Sequence, residues 1–135
     1  MKHLVCLLLI LSHFAVFGQG KKDIVKYQIK TKTEHKADYK DGNGKLLMDE
    51  YYIYDNKGNT IQESTYDKFG KPEKEIKYFF DENNLLEKEE EYNAKGKLIK
   101  MTIYTYNEKG LKTSKKEYDS NNKLLVEKTY TYEYY

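Results

Sequence analysis

The densest carboxylate cluster in this 135-residue chain is EKEEEY, Glu87 to Tyr92. Paired carboxylates perform general acid-base chemistry when a pocket keeps one protonated and the other ionised. On a strand, successive side chains face opposite ways, so these acids divide between two faces beside Lys88. The run reads as a solvated face, and no general acid or base is assigned to it. His35 stands apart from any Ser or Cys motif it could activate, so it receives no catalytic role either. A third set is Asp or Asn followed three residues later by Gly or Asn, as in DNKGN and DKFGK. Calcium loops need several oxygen ligands converging in one short segment. Each of these segments offers one carboxylate beside a lysine, which suits a turn better than a metal. The fourth set is the tyrosines, 15 in all. Their rings can stack on sugars while their hydroxyls hydrogen-bond, or they can serve as strand formers on a half-exposed sheet.

Composition removes further chemistry. MKHLVCLLLILSHFAVFGQG opens with Lys2 and is nearly all apolar from Leu4 to Phe17. It has the form of a secretory signal peptide cut near Gly18-Gln19. The apolar run is shorter than the roughly 20 residues of a membrane span, and a retained anchor is the alternative. Removing residues 1–18 takes away Cys6, the only cysteine, and leaves His35 as the only histidine. No disulfide, thiol nucleophile or Cys/His metal site is then expected, and no cofactor. The 24 basic residues are all lysine and are nearly balanced by 22 acids. Without arginine or a basic patch, no nucleic-acid partner is expected. After cleavage no integral membrane span is expected.

These residues are positioned by a repeat. The segments KDGNGK, YDNKGN, YDKFGK, FDENNL, YNAKGK, YNEKGL and YDSNNK begin at Lys40, Tyr54, Tyr66, Phe80, Tyr92, Tyr106 and Tyr118. Their spacings alternate between 14 and 12, and a further 14 reaches Tyr132, which makes a 26-residue period. The second column is Asp41, Asp55, Asp67, Asp81, Asn93, Asn107 and Asp119, residues that open type I turns. The fifth is Gly44, Gly58, Gly70, Asn84, Gly96, Gly110 and Asn122, residues that tolerate a left-handed backbone. Together they specify three-residue hairpin loops. Strands are predicted over 45–54, 59–66, 71–80, 85–92, 97–106, 111–118 and 123–134, with a possible earlier strand over 24–33. The expected organisation is a signal peptide over 1–18, an N-terminal segment over 19–39 and a repeat domain over 40–135.

The fold class is therefore all-β: an antiparallel meander of hairpins in one open, twisted or coiled sheet. A closed up-and-down barrel is the alternative. Both spacings are even, so a parity-preserving loop puts all even positions on one face. That face would carry Tyr52, Tyr54, Tyr66, Tyr78, Phe80, Tyr92, Tyr104, Tyr106, Tyr118, Tyr130 and Tyr132. The same reasoning sets Tyr78 opposite Lys88, Lys74 opposite Tyr92, Lys100 opposite Tyr118 and Tyr106 opposite Lys112. No amphipathic helix is expected to cover the sheet.

YIYDNKGN and YDKFGK resemble the YD repeats of RHS-type proteins, and YNAKGKLIK is similar to MORN-type repeats of bacterial exported proteins. The resemblance covers about residues 40–135. It implies strand-turn-strand units on the columns above, with carbohydrate binding as a function proposed for such repeats. The chain is too short to enclose another domain as RHS shells do. The expectation is an exported, non-enzymatic protein of a Gram-negative-type envelope, periplasmic, cell-surface or secreted. It would act as a structural or protein-interaction module, through a protein partner or self-association at its sheet edges, the last strand having no cap. A glycan-binding module using the tyrosine face is the alternative.

Overall fold

The computed structural model describes residues 17–40 and 43–135. Most of the expected signal peptide, and Asp41 of the first turn, lie outside the described residues. A short helix α1 (Phe17–Lys26) precedes eight strands: β1 (Thr31–Ala37), β2 (Leu46–Tyr54), β3 (Thr60–Tyr66), β4 (Pro72–Phe80), β5 (Leu86–Asn93), β6 (Leu98–Tyr106), β7 (Lys112–Asp119) and β8 (Leu124–Thr129). They form one sheet in sequence order, and every neighbouring pair is antiparallel. β1 and β8 each pair on one side only, so the sheet is open and the barrel alternative is wrong. The early strand also lies later than expected: residues 24–26 belong to α1, and β1 starts at Thr31.

The turns form as their residue types dictate. In the β2–β3 turn the Asp55 N–H donates to Asn59 O at 3.0 Å, and the Gly58 N–H donates to Asp55 O at 3.1 Å. That is a three-residue loop whose last residue is left-handed: Gly58 has φ +77°. The Asp55 side chain then does the remaining work. Its Oδ1 accepts from the N–H of Lys57 at 2.9 Å and of Asn59 at 2.8 Å. Asp67, Asn93, Asn107 and Asp119 accept from the same two positions of their own turns. Only a short side-chain carbonyl or carboxylate reaches both amides, hence Asp or Asn in every turn. The first turn departs from the pattern. Gly44 is left-handed as expected, but its N–H donates to Asp38 O at 2.8 Å, and Asp38 Oδ1 accepts from Lys40 N–H.

Beyond each of the six later turns the ladder slips by one residue. Ile53 faces Gln62 while Tyr54 faces Thr60, which leaves Ile61 as the extra residue of a β-bulge. The same slip falls at Glu73, Glu87, Ile99, Thr113 and Leu125. Since the strand period is two, one extra residue turns every following side chain to the opposite face. The even-numbered face is therefore wrong. Tyr78 faces Glu89, not Lys88; Tyr92 faces Glu75, not Lys74; Tyr118 faces Met101, not Lys100. Only Tyr106 opposite Lys112, on the turn side of the slip, holds. With apolar and aromatic residues on both faces, no single face could line a barrel.

The sheet is one layer thick over most of its area. Among the described residues the only buried large apolar side chain is Tyr104, 8% exposed. Cohesion comes from side chains reaching across strands, each cross-strand pair contributing roughly 0.2–1 kcal/mol. Lys100 pairs with Glu91 at 2.9 Å, Lys116 with Glu127 at 3.3 Å, and the Lys88 ammonium lies 4.1 Å from the Phe79 ring centre. α1 caps one rim of the sheet, packing on the β2–β3 turn instead of a face: a methyl added at Gly58 would meet Val25 Cγ2 at 2.8 Å.

Candidate functional site: two aromatic faces and a free strand

The slip sorts the candidate aromatics into two sets. Tyr52, Tyr54, Tyr78, Phe80, Tyr104 and Tyr106 come from β2, β4 and β6 and share one face. Tyr66, Tyr92 and Tyr118 come from β3, β5 and β7 and lie on the other. Tyr130 and Tyr132 follow β8 and are exposed. On the first face Tyr78 donates to Glu63 Oε2 at 3.1 Å, and Tyr104 to Glu89 Oε1 at 3.0 Å. The two bonds are equivalent in consecutive 26-residue units. Tyr52 donates to Glu50, and its ring stacks on Tyr54 with centroids 6.3 Å apart. Burial first, and the neighbouring carboxylates second, push the Tyr52, Tyr78 and Tyr104 hydroxyls well above the ordinary tyrosine range.

On the opposite face Tyr92 donates to Glu90 at 2.5 Å, with the Lys77 ammonium 5.0 Å from its ring centre. The Glu90 bond raises the Tyr92 hydroxyl to about 12. Glu90 itself is held below the usual carboxylate range, chiefly by Lys88 at 2.8 Å and then by Tyr92. Glu89, Glu90 and Glu91 are therefore engaged by Tyr104, by Lys88 and Tyr92, and by Lys100, split between faces as their alternation implies, whereas Glu87 is the bulge residue. Two tyrosines tie strand ends instead: Tyr106 donates to Leu86 O at 2.7 Å and Tyr132 to Lys112 O at 2.6 Å, again one period apart. Hydroxyls so engaged have spent their one donor and can meet a ligand only as acceptors.

Two depressions occupy equivalent places in successive units. The larger, about 470 Å³, is framed by Asp55, Ile61, Tyr78, Phe79 and Phe80. The smaller, about 240 Å³, is framed by Asp81, Glu87, Tyr104, Thr105 and Tyr106. The bulge residue and the end of the next long strand shape both. The first is the more apolar: it has Ile61, Phe79 and Phe80 where the second has Glu87, Thr105 and Tyr106.

Sequence reasoning missed a polar knot at the rim. Asn59 is 6% exposed. It accepts from Lys21 Nζ at 2.6 Å, and its amide donates to Asp55 Oδ2 at 2.8 Å and Asn84 Oδ1 at 2.6 Å. It joins α1 to two neighbouring turns. A signal existed: the same turn position holds Lys71, Leu85, Lys97, Leu111 and Lys123 elsewhere, so Asn59 is the exception. No group of acids, histidines or cysteines that could hold a metal occurs among the described residues.

The free strand is β8. Tyr130 N–H donates to Thr113 O at 3.0 Å, so Tyr130 and, two residues back, Lys128 turn their backbone groups toward β7. Glu127 and Thr129 then direct theirs outward, where no strand of the described residues pairs with them. Every residue of β8 is exposed, with Leu124 at 44%, Leu125 at 55% and Val126 at 40%. The strand is shorter than expected: it ends at Thr129, and residues 130–135 lie beyond it.

No protein-family model matches the chain, and no curated protein does. Among solved structures, a protein of unknown function from Bacteroides fragilis is 19% identical, with a TM-score of 0.30. The match covers 78% of this chain and 96% of that one. An overlap that low carries no argument. No helix among the described residues is long and apolar enough to cross a membrane.

Proposed function

We propose that this chain is an exported, non-enzymatic YD-type repeat module that works by strand addition at the free edge of β8. One observation carries the reading: β8 combines outward backbone groups at Glu127 and Thr129 with exposed Leu124, Leu125 and Val126. An extended strand laid there gains main-chain hydrogen bonds and apolar side-chain contacts together. Natural edges are blunted by proline, charges, short strands, bulges or a covering element; β8 has no proline and no helix over it among the described residues, and the opposing reading is that its short length and Glu127, Lys128 and Glu133 guard it. The export half of the reading rests on the leader-like first 18 residues. The glycan alternative draws less support, since Tyr52, Tyr78 and Tyr104 engage carboxylates and Tyr104 is nearly covered.

The test uses a synthetic peptide of β7, KTSKKEYD, as a strand of the short type that flanks long strands throughout the sheet. It should bind saturably and protect the Glu127 and Thr129 amides from hydrogen exchange. Thr129→Pro should abolish binding while leaving the Lys128 and Tyr130 amides protected, because the proline removes only an outward N–H. No protection by the peptide at any concentration would sink the reading.

A further inference from the structure

We infer that the strand taken up at β8 is β1 of a second copy of this chain, so that copies join head to tail into one continuing sheet. The inference rests on the strand-addition reading above and names its partner. Within the sheet, long strands alternate with short ones: β2, β4 and β6 have nine residues, and β3, β5 and β7 have seven or eight. β8 has six residues but stands at the even-numbered place that β2, β4 and β6 hold, so in the order of the sheet the place beyond its free edge is that of an odd-numbered, short strand. β1 is a short strand of seven residues whose free edge calls for a long one. The two edges are the two halves of one missing contact. Direction agrees as well. β1 and β8 run in opposite senses in this alternating sheet, so a second copy displaced across the sheet sets its β1 antiparallel to β8.

The register can be read from the repeat. Glu63 sits opposite Tyr52 and Glu89 opposite Tyr78, each a short-strand acid beside a tyrosine of the preceding long strand. Glu34 fills the same place in β1, since it faces Glu50 as Glu63 faces Ile76 and Glu89 faces Thr102, one period apart. The next tyrosine in the column is Tyr130. Within its own chain the place that supplies Glu63 to Tyr78 and Glu89 to Tyr104 is held by Lys115, and Tyr130 makes no side-chain hydrogen bond among the described residues. Glu34 of a second copy, opposite Tyr130, takes the facing place that Glu63 holds beside Tyr52 and Glu89 beside Tyr78. The charges of β1 do not bar it from a two-sided position. β5, LEKEEEYN, and β7, KTSKKEYD, carry as many or more and are flanked on both sides. Among the described residues, α1 meets the β2–β3 turn at Gly58 and Asn59, and no strand pairs with the outer edge of β1.

Such a contact joins two different edges and does not close on itself, so it propagates. The exported chain contains no cysteine once Cys6 is removed, which makes a thiol test clean. Glu34→Cys and Tyr130→Cys chains are purified separately, mixed and mildly oxidised. The expected product is the mixed disulfide, dominating both homodimers, and its loss when Thr129→Pro is added to the Tyr130→Cys chain. A dominant Tyr130→Cys homodimer would mean that β8 pairs with β8, and would overturn the inference. Persistence of the mixed product in the Thr129→Pro background would overturn it too. Absence of any cross-link, with the β7 peptide still protecting Glu127 and Thr129, would overturn the second copy as occupant and leave strand addition standing. Failure of both would remove the two together. Protection of the Lys128 and Tyr130 amides checks that each variant has folded.

Discussion

The β1 end and the β8 end of this sheet are finished differently. Near the first, α1 packs on the β2–β3 turn, and buried Asn59 joins exposed Lys21 to half-buried Asp55 and Asn84. At the second, the six residues of β8 are all exposed, and no other described element covers them. Between them the same 26-residue unit repeats, with the same turns, bulges and tyrosine-glutamate bonds. The difference teaches that the unit does not limit itself. The helix caps a rim of turns and not a strand edge, so the outer edges of both β1 and β8 lack a partner among the described residues.

The largest expected effect separates the interior from both ends. The Tyr52, Tyr78 and Tyr104 hydroxyls sit well above their ordinary range, and Tyr92 is raised to about 12. In the unfolded chain these groups lose their protons near pH 10. Above that pH the unfolded state binds fewer protons than the fold, so stability falls as pH rises. Their contribution is fully present below about pH 10 and is lost as pH climbs through the folded values. Tyrosinate absorbance should therefore show a cooperative step coincident with loss of the β-sheet circular dichroism signal. A gradual titration with the sheet intact would break the account of the interior.

Next in size, Tyr104→Ala should cost about 3 kcal/mol in denaturant unfolding, because it empties the one well-covered aromatic position. Tyr130→Ala, in the same column at the bare end, should stay within about 0.5 kcal/mol as a monomer. Equal costs would erase the contrast between centre and edge. Gly58→Ala and Gly96→Ala compare the capped rim with an open turn. Both glycines are left-handed, at φ +77° and +73°, so each substitution carries strain of about 1–2 kcal/mol. At Gly96 the methyl meets nothing within 4 Å, whereas at Gly58 it also meets Lys21 O at 3.0 Å. Gly58→Ala should be the more destabilising and should raise hydrogen exchange in α1, which Gly96→Ala should not. Smallest of all, Lys100→Met removes the half-exposed pair with Glu91 and should change stability by about 0.5 kcal/mol or less.

The turns were legible in the sequence because their chemistry is local. Only Asp or Asn can accept from two amides of its own loop, and only Gly or Asn sits easily at φ near +70°, so both columns announce themselves. Strand positions followed to within a residue or two for seven strands, up to the end of β8. Which face each tyrosine takes was not legible. The bulge position is held by Ile61, Glu73, Glu87, Ile99, Thr113 and Leu125, four residue types with no common chemistry. The slip is a property of the ladder, set where the right-handed twist of two strands meets the turn, and no side chain marks it. α1 was hidden for a related reason. FGQGKKDIVK has two glycines and weak helix propensity, and its contacts are made with a turn far along the chain. Asn59 could have been found as the exception in its column, although its partners Lys21 and Asn84 could not.

Hydrogen exchange at the β8 amides, followed against protein concentration, tests the central claim most directly. Glu127 and Thr129 should exchange freely in dilute solution and become protected together as concentration rises, while Lys128 and Tyr130 stay protected throughout. Free exchange at Glu127 and Thr129 at every concentration, and in the presence of the β7 peptide, would show that the bare edge is not a binding edge.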